Sequence, residues 1–240
     1  ELNGLAGPHL ILEGCNLHLQ SGASDEEEGT SYGVNGMGNL VLGYNQESPG
    51  TKPLRDASHT LVVGDYHGYR GAGMVVAGFG NTASNNATFV AGTSNTASGE
   101  AASVTGGAGN IAEGSYSSIT GGQRGRANGP VASIAGGSSN TASGDYSSVG
   151  GGFHNEAGRD GAHVAGGKGN VASGAFATVA GGIANEAKGD ESYSFVGGGI
   201  ANVADGHKAG ASVHGGIMNV ASGVEGSTVV GGKLNTASSR

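Results

Sequence analysis

The sequence predicts an all-β fold, a parallel β-solenoid whose coils are 14–17 residues long. Three observations predict it. An aliphatic residue stands two before a Gly pair at regular intervals, as in Val104-Thr105-Gly106-Gly107, Ile119-Thr120-Gly121-Gly122 and Val164-Ala165-Gly166-Gly167. An Asn-x-Ala unit recurs between these, as in Asn110-Ile111-Ala112, Asn140-Thr141-Ala142 and Asn170-Val171-Ala172. The period is short and nearly fixed, the mark of stacked repeats.

In chain order, residues 1–60 keep strand signals but lose the strict period. Leu10 and Leu12, then Leu17 and Leu19, alternate with other residues in two runs joined by Glu13-Gly14. Irregular segments follow at about 21–38 and 46–58, the second with Pro49 and Pro53. The open end of a roll invites further strand pairing. This region therefore reads as a cap or start of the roll with protruding loops, where recognition tends to concentrate. Asp25-Glu26-Glu27-Glu28 reads as a solvated loop, because four adjacent carboxylates lack the spaced geometry of a cation site.

Residues 61–240 carry the repeat. The aliphatic marker falls at Val62, Val76, Val90, Val104, Ile119, Ile134, Val149, Val164, Val179, Val196, Val213 and Val229. Val41 extends the series to about thirteen coils. Glycine disfavours helix by about 1 kcal/mol per position, whereas the β-branched markers suit strands. A period near fifteen leaves room for two strands of about five residues and two tight turns. One turn follows the Gly pair and the other follows Asn-x-Ala-Ser-Gly, as at Ala142-Ser143-Gly144. The Ala column, which includes Ala142 and Ala157, reads as a crowded interior position where a larger side chain would overpack.

Two longer coils place their extra residues at one corner. Lys188, Asp190 and Glu191 mark one insertion, His207 and Lys208 the next. Insertions confined to one face often mark a binding face, so these residues are candidate ligand contacts. Alternation along a strand puts each marker and the residue two before it inward. The residue three before the marker then falls on the opposite face: Tyr116, Val131, Tyr146, Gly161, Phe176 and Tyr193. Such an apolar row is too long for a soluble monomer to leave in water. Tyr116, Val131, Tyr146, Phe176 and Tyr193 are therefore candidate contacts between chains.

Composition bounds the remaining classes. The formal net charge of −8 disfavours nucleic acid and anionic membranes as general partners. Cys15 is the only cysteine, which rules out a disulfide scaffold within the chain. No apolar run approaches the ~20 residues of a membrane helix. The chain starts without Met and ends inside a repeat, and is read as a piece of something longer. No GxSxG elbow, P-loop, HExxH or recurring calcium nonapeptide is present, so no catalytic residue, cofactor or metal is assigned. Arg124 and Arg126 sit in the one coil where Gly125 replaces Asn, and read as a charged, solvated corner.

At Ser103-Val104-Thr105-Gly106-Gly107, Ser133-Ile134-Ala135-Gly136-Gly137, Ser148-Val149-Gly150-Gly151-Gly152 and Ala142-Ser143-Gly144, the chain resembles the YadA-type head of trimeric autotransporter adhesins. The resemblance covers about residues 60–240. Gly stands where that family usually has Ile, and most coils here are one residue longer. The resemblance implies a left-handed parallel β-roll, a homotrimer, and an outer-membrane anchor in the full-length protein.

The function expected on these grounds is a surface-exposed, trimeric fibre head or spacer. It would adhere to cells, matrix or other surfaces by multivalent binding to a glycan or protein ligand, without catalysis. A trimeric phage or contractile-tail fibre is the alternative, and a carbohydrate-processing β-helix enzyme the third reading.

Overall fold

Identical coils can stack only if identical residues meet in register, and the marker column does so throughout. In the computed structural model, which describes residues 14–19, 34, 36–46, 54–190 and 193–239, two 13-stranded parallel sheets run side by side. Among the described residues there is no helix. In sheet 1, Val41 pairs with Val62 and Val62 with Val76. The register then passes through Val104, Ile119, Ile134 and Val149 to Val229 without a slip. Sheet 2 stacks the Ala column, from Ala83 on Ala97 to Ala221 on Ala237. The two sheets make a solenoid of about twelve turns, ~60 Å long at ordinary strand spacing. The ladders begin within residues 1–60, with strands Leu40–Leu42 and Arg55–Ser58. Leu10, Leu12, the acidic run 25–28, Pro49 and Pro53 lie outside the described residues.

The strands are shorter than the five residues expected. Most are dipeptides, such as Thr141–Ala142 and Ser148–Val149. Only early strands such as Val75–Phe79 and Phe89–Thr93 reach five. The reason lies in the corners. Each fifteen-residue coil turns sharply twice through a residue in the left-handed region, for example Tyr146 (φ 56°) and His154 (φ 54°). These turns and their flanking glycines take up the residues that longer strands would need. At the second corner a column of single-residue bridges adds a minor third ladder, Phe153 on Lys168 on Ile183 on Ile200 on Ile217 on Lys233.

The interior is thin. In a typical coil Asn155, Ala157, Ala162 and Val164 point inward and are almost fully buried. Ala142 and Ala157 are inaccessible to solvent, as the sequence leads one to expect. The buried Asn does more than brace its own turn. Asn155 N–H donates to Asn140 Oδ1 at 2.9 Å, and Asn155 Oδ1 accepts from Asn170 N–H at 2.9 Å. Asn155 Nδ2 donates to the carbonyls of Gly151 (2.8 Å) and Gly167 (2.9 Å). Repeated coil after coil, this forms an axial amide ladder that satisfies backbone groups which the corners would otherwise leave unpaired in the interior. His67 occupies one rung near the start. Its N–H donates to Asn45 Oδ1 (3.1 Å) and its Nδ1 accepts from Asn81 N–H (3.2 Å). Its Nε2 lies 3.1 Å from the Val63 carbonyl, so the ring is the neutral Nε2–H tautomer.

The ladder explains the second Gly of each pair. Gly152 has φ 87°, and a Cβ there would collide with the Gly167 carbonyl and with Asn155 Nδ2. Among the described residues, Gly125 is the one place where the ladder lacks a side chain. Its N–H still donates to Asn110 Oδ1 at 2.8 Å, but it offers nothing to Asn140 above. The vacated volume is filled from the marker column. A Cβ on Gly125 would lie 3.6 Å from Ile134 Cδ1 and 3.8 Å from Ile119 Cδ1. These two are the only Ile among the markers, and each supplies the extra methylene beside the missing amide.

Candidate functional site

A flattened coil has two edges. The first runs from Asn-x-Ala to the next marker, and the second from that marker to the next Asn. On the first edge the chain turns where the aromatic row stands. Tyr116, Val131, Tyr146 and Phe176 have φ of 59°, 58°, 56° and 54°, and Gly161 holds the same register at 63°. Their N–H groups hydrogen-bond to the coil below: Tyr146 to the Pro130 carbonyl (2.9 Å), Gly161 to Asp145 (2.8 Å) and Phe176 to Asp160 (2.8 Å). This corrects the strand-face placement of the row. Strands such as Ser148–Val149 begin only one residue before the marker, so the residue three before it projects from a corner.

All five candidate contact residues gather on this edge and are exposed, Tyr146 at 70 % and Tyr193 at 72 %. The Phe176 and Tyr193 rings stack, with centroids 5.5 Å apart and planes inclined by 22°. The insertions belong to the same edge. Lys188 Nζ pairs with Glu186 Oε2 at 3.1 Å, and Asp190 is exposed. Glu191 lies outside the described residues. His207 and Lys208 are exposed at the next corner. Ser194 ties the two insertions together, its hydroxyl donating to the Lys188 carbonyl (2.8 Å) and accepting from Gly206 N–H (3.2 Å).

The second edge is a surface that sequence reasoning does not single out. Its bridge column exposes Phe153, Ile183, Ile200 and Ile217 by 38–48 %, with Met218 beside them at 51 %. Lys168 Nζ lies 5.9 Å from the centre of the Phe153 ring. The signal was present, because the residue directly after each Gly pair forms the column Ser138, Phe153, Lys168, Ile183, Ile200, Ile217. The two edges differ in charge. Between residues 105 and 234 the second edge carries Arg124, Lys168 and Lys233 and no carboxylate. Among the described residues of the same stretch the first carries Glu113, Asp145, Asp160, Asp190, Asp205 and Glu225 against Arg159, Lys188 and Lys208. Arg126 projects from sheet 2 and pairs with Glu113 at 3.3 Å.

Among the described residues no three His, Cys, Asp or Glu side chains converge as a metal site. No helix there is long and apolar enough to cross a membrane. Cys15 is free and exposed. No family model matches the sequence, and no curated protein matches it.

Proposed function

We propose that the chain is a surface-exposed, trimeric fibre head or spacer that adheres to cells, matrix or other surfaces by multivalent binding. Its roll is wound left-handed, and the full-length protein is anchored at the outer membrane. The observation that carries the reading is the rank of large exposed rings held in left-handed turns. An L-residue in that conformation costs ~1–2 kcal/mol. Gly161, in the same register, has no such cost. Tyr116, Tyr146 and Phe176 are thus kept against local preference, on the outside of the molecule. Residues held so are favoured places for contact. A rod built on two unbroken ladders repeats those contacts at fixed spacing, which suits binding by avidity. Resemblance to the YadA-type head supplies the number three and the left hand.

The test compares the wild-type chain with Tyr116→Gly/Tyr146→Gly/Phe176→Gly. Glycine preserves the corner, so the roll should stay folded while the contacts go. Light scattering at micromolar concentration should give three times the chain mass of 23.1 kDa for the wild type and a smaller mass for the variant. Retention on matrix-coated or glycan-coated surfaces should fall with it. A wild-type mass of one chain refutes the trimer.

A further inference from the structure

We propose that the second edge, formed by Phe153, Lys168, Ile183, Ile200, Ile217 and Met218, docks against the first edge of a parallel, in-register second copy of this chain. The inference deepens the trimer reading and rests on it: it names the two surfaces that meet. Three arguments select this occupant.

The first is charge. Along the second edge the order is Lys168, Ile183, Ile200, Ile217, Lys233, symmetric about Ile200. If two second edges met antiparallel, Lys168 would face the other copy's Lys233. If they met parallel, each lysine would face itself. Both arrangements put like charges together, which costs affinity. The first edge carries carboxylates in excess over its cations Arg159, Lys188 and Lys208 and offers Asp160 and Glu225 in the coils of Lys168 and Lys233.

The second is the match within each coil. Cyclic symmetry about an axis along the rod sets equal coils at equal height, and brings one edge of a coil to the other edge of the same coil in the next copy. The coil of residues 140–154 has Tyr146 on one edge and Phe153 on the other. Residues 170–184 have Phe176 and Ile183, and residues 185–201 have Tyr193 and Ile200. The coil of 155–169 has no ring: on its first edge Gly161 stands beside Asp160, with Arg159 before it, and on its second edge stands Lys168. The coil of 219–234 repeats this with Glu225 and Lys233. Ring meets apolar side chain in three of these coils and acid meets lysine in two; the coils of 110–124, 125–139 and 202–218, with Tyr116 and Gln123, Val131 and Ser138, and Gly210 and Ile217, carry neither match. A partner with this period and this order satisfies the five matched rungs.

The third is extent. Phe153, Ile183, Ile200, Ile217 and Met218 are exposed by 38–51 % along one edge, an apolar strip of the kind soluble monomers rarely leave uncovered.

The test uses charge reversal across the predicted contact, in the full chain. Lys168→Asp and Asp160→Lys should each raise the concentration at which the assembly dissociates by at least about tenfold, since close charge pairs couple strongly across interfaces. The double reversal should recover most of that loss. Ile183→Asp/Ile200→Asp should give single chains with an unchanged circular dichroism spectrum. In a Cys15→Ser background, Lys168→Cys/Asp160→Cys should oxidise to covalent oligomers. The two positions lie on opposite edges of one chain, so the bond must run between chains. A wild-type trimer that is indifferent to all these changes and gives no cross-link overturns the edge assignment and leaves the trimer standing. A wild-type single chain overturns both.

Discussion

At the scale of the residue, the two glycines of a pair are not equivalent. A Cβ on Gly136 would meet nothing within 4 Å, and its φ is not in the left-handed region. Gly137 has φ 84°, and its Cβ would strike the Gly152 carbonyl and Asn140 Nδ2. Gly136→Ala should leave the melting temperature within about a degree, whereas Gly137→Ala should destabilise by roughly 1–3 kcal/mol through backbone strain. Equal effects in thermal melts would disprove the asymmetry. Ser117 and Ser147 give a contrasting case. Both are fully buried and their hydroxyls have no partner, while Ala102, Ala132 and Ala162 hold the equivalent inward slot in neighbouring coils. A buried hydroxyl without a partner costs about 1–3 kcal/mol. Ser117→Ala and Ser147→Ala should therefore raise the melting temperature or leave it unchanged, and a clear fall would reveal a missing partner. The glycine pair is visible in the sequence, but its inequivalence is not, because it depends on the approach of the coil above.

At the scale of the element, the axial amide ladder carries the largest gap between what was legible and what is there. From Ala83 on, Asn stands two residues before every Ala of the sheet 2 column except Ala127, and strand alternation alone puts both on one face. An inward Asn was therefore deducible. That its amide joins three successive coils was not, since this follows from the stacking distance. Asn155→Ala leaves the groups it serves unpaired in the interior, and should cost about 1–3 kcal/mol. At the gap, Gly125→Asn alone should destabilise by overpacking against Ile119 and Ile134, again by roughly 1–3 kcal/mol. Combined with Ile119→Val and Ile134→Val it should regain most of that loss, because side chains that share one volume couple. Strict additivity in denaturant titrations would show that the two isoleucines do not fill the vacant place. The aromatic row shows a different limit. Its spacing was readable, but its corner placement was not, because Tyr and Val at positive φ run against local preference.

At the scale of the whole molecule, each coil touches only its neighbours, so stability accumulates coil by coil. Deleting residues 140–154 removes one complete period and brings Ser139 next to Asn155 with every column intact. The shortened chain should still fold to the same β spectrum, with a modest loss of stability. Deleting seven residues from the same coil should abolish folding by interchanging inward and outward positions. Two similar melting curves would argue against the stacked-coil architecture. The solenoid was legible because period and strand register are both properties of the sequence. The edge pairing proposed above was not, since the two edges of a coil are read apart in the sequence and nothing in one chain's order sets them against each other.

The break at Gly125 has a mechanical consequence. In a rod whose strands lie across its length, tension between the ends pulls neighbouring coils apart one junction at a time. Every junction in this stretch holds by its two sheet ladders and the single-residue bridge of the second corner, and nearly every one also by an asparagine amide. Between Gly125 and Asn140 the amide is absent and only the ladders and the Gln123–Ser138 bridge remain. Rupture under stretch should start there, splitting the shaft into two shorter blocks that are each still wound, so that a fibre fixed at one end and adhering at the other would yield at a set place.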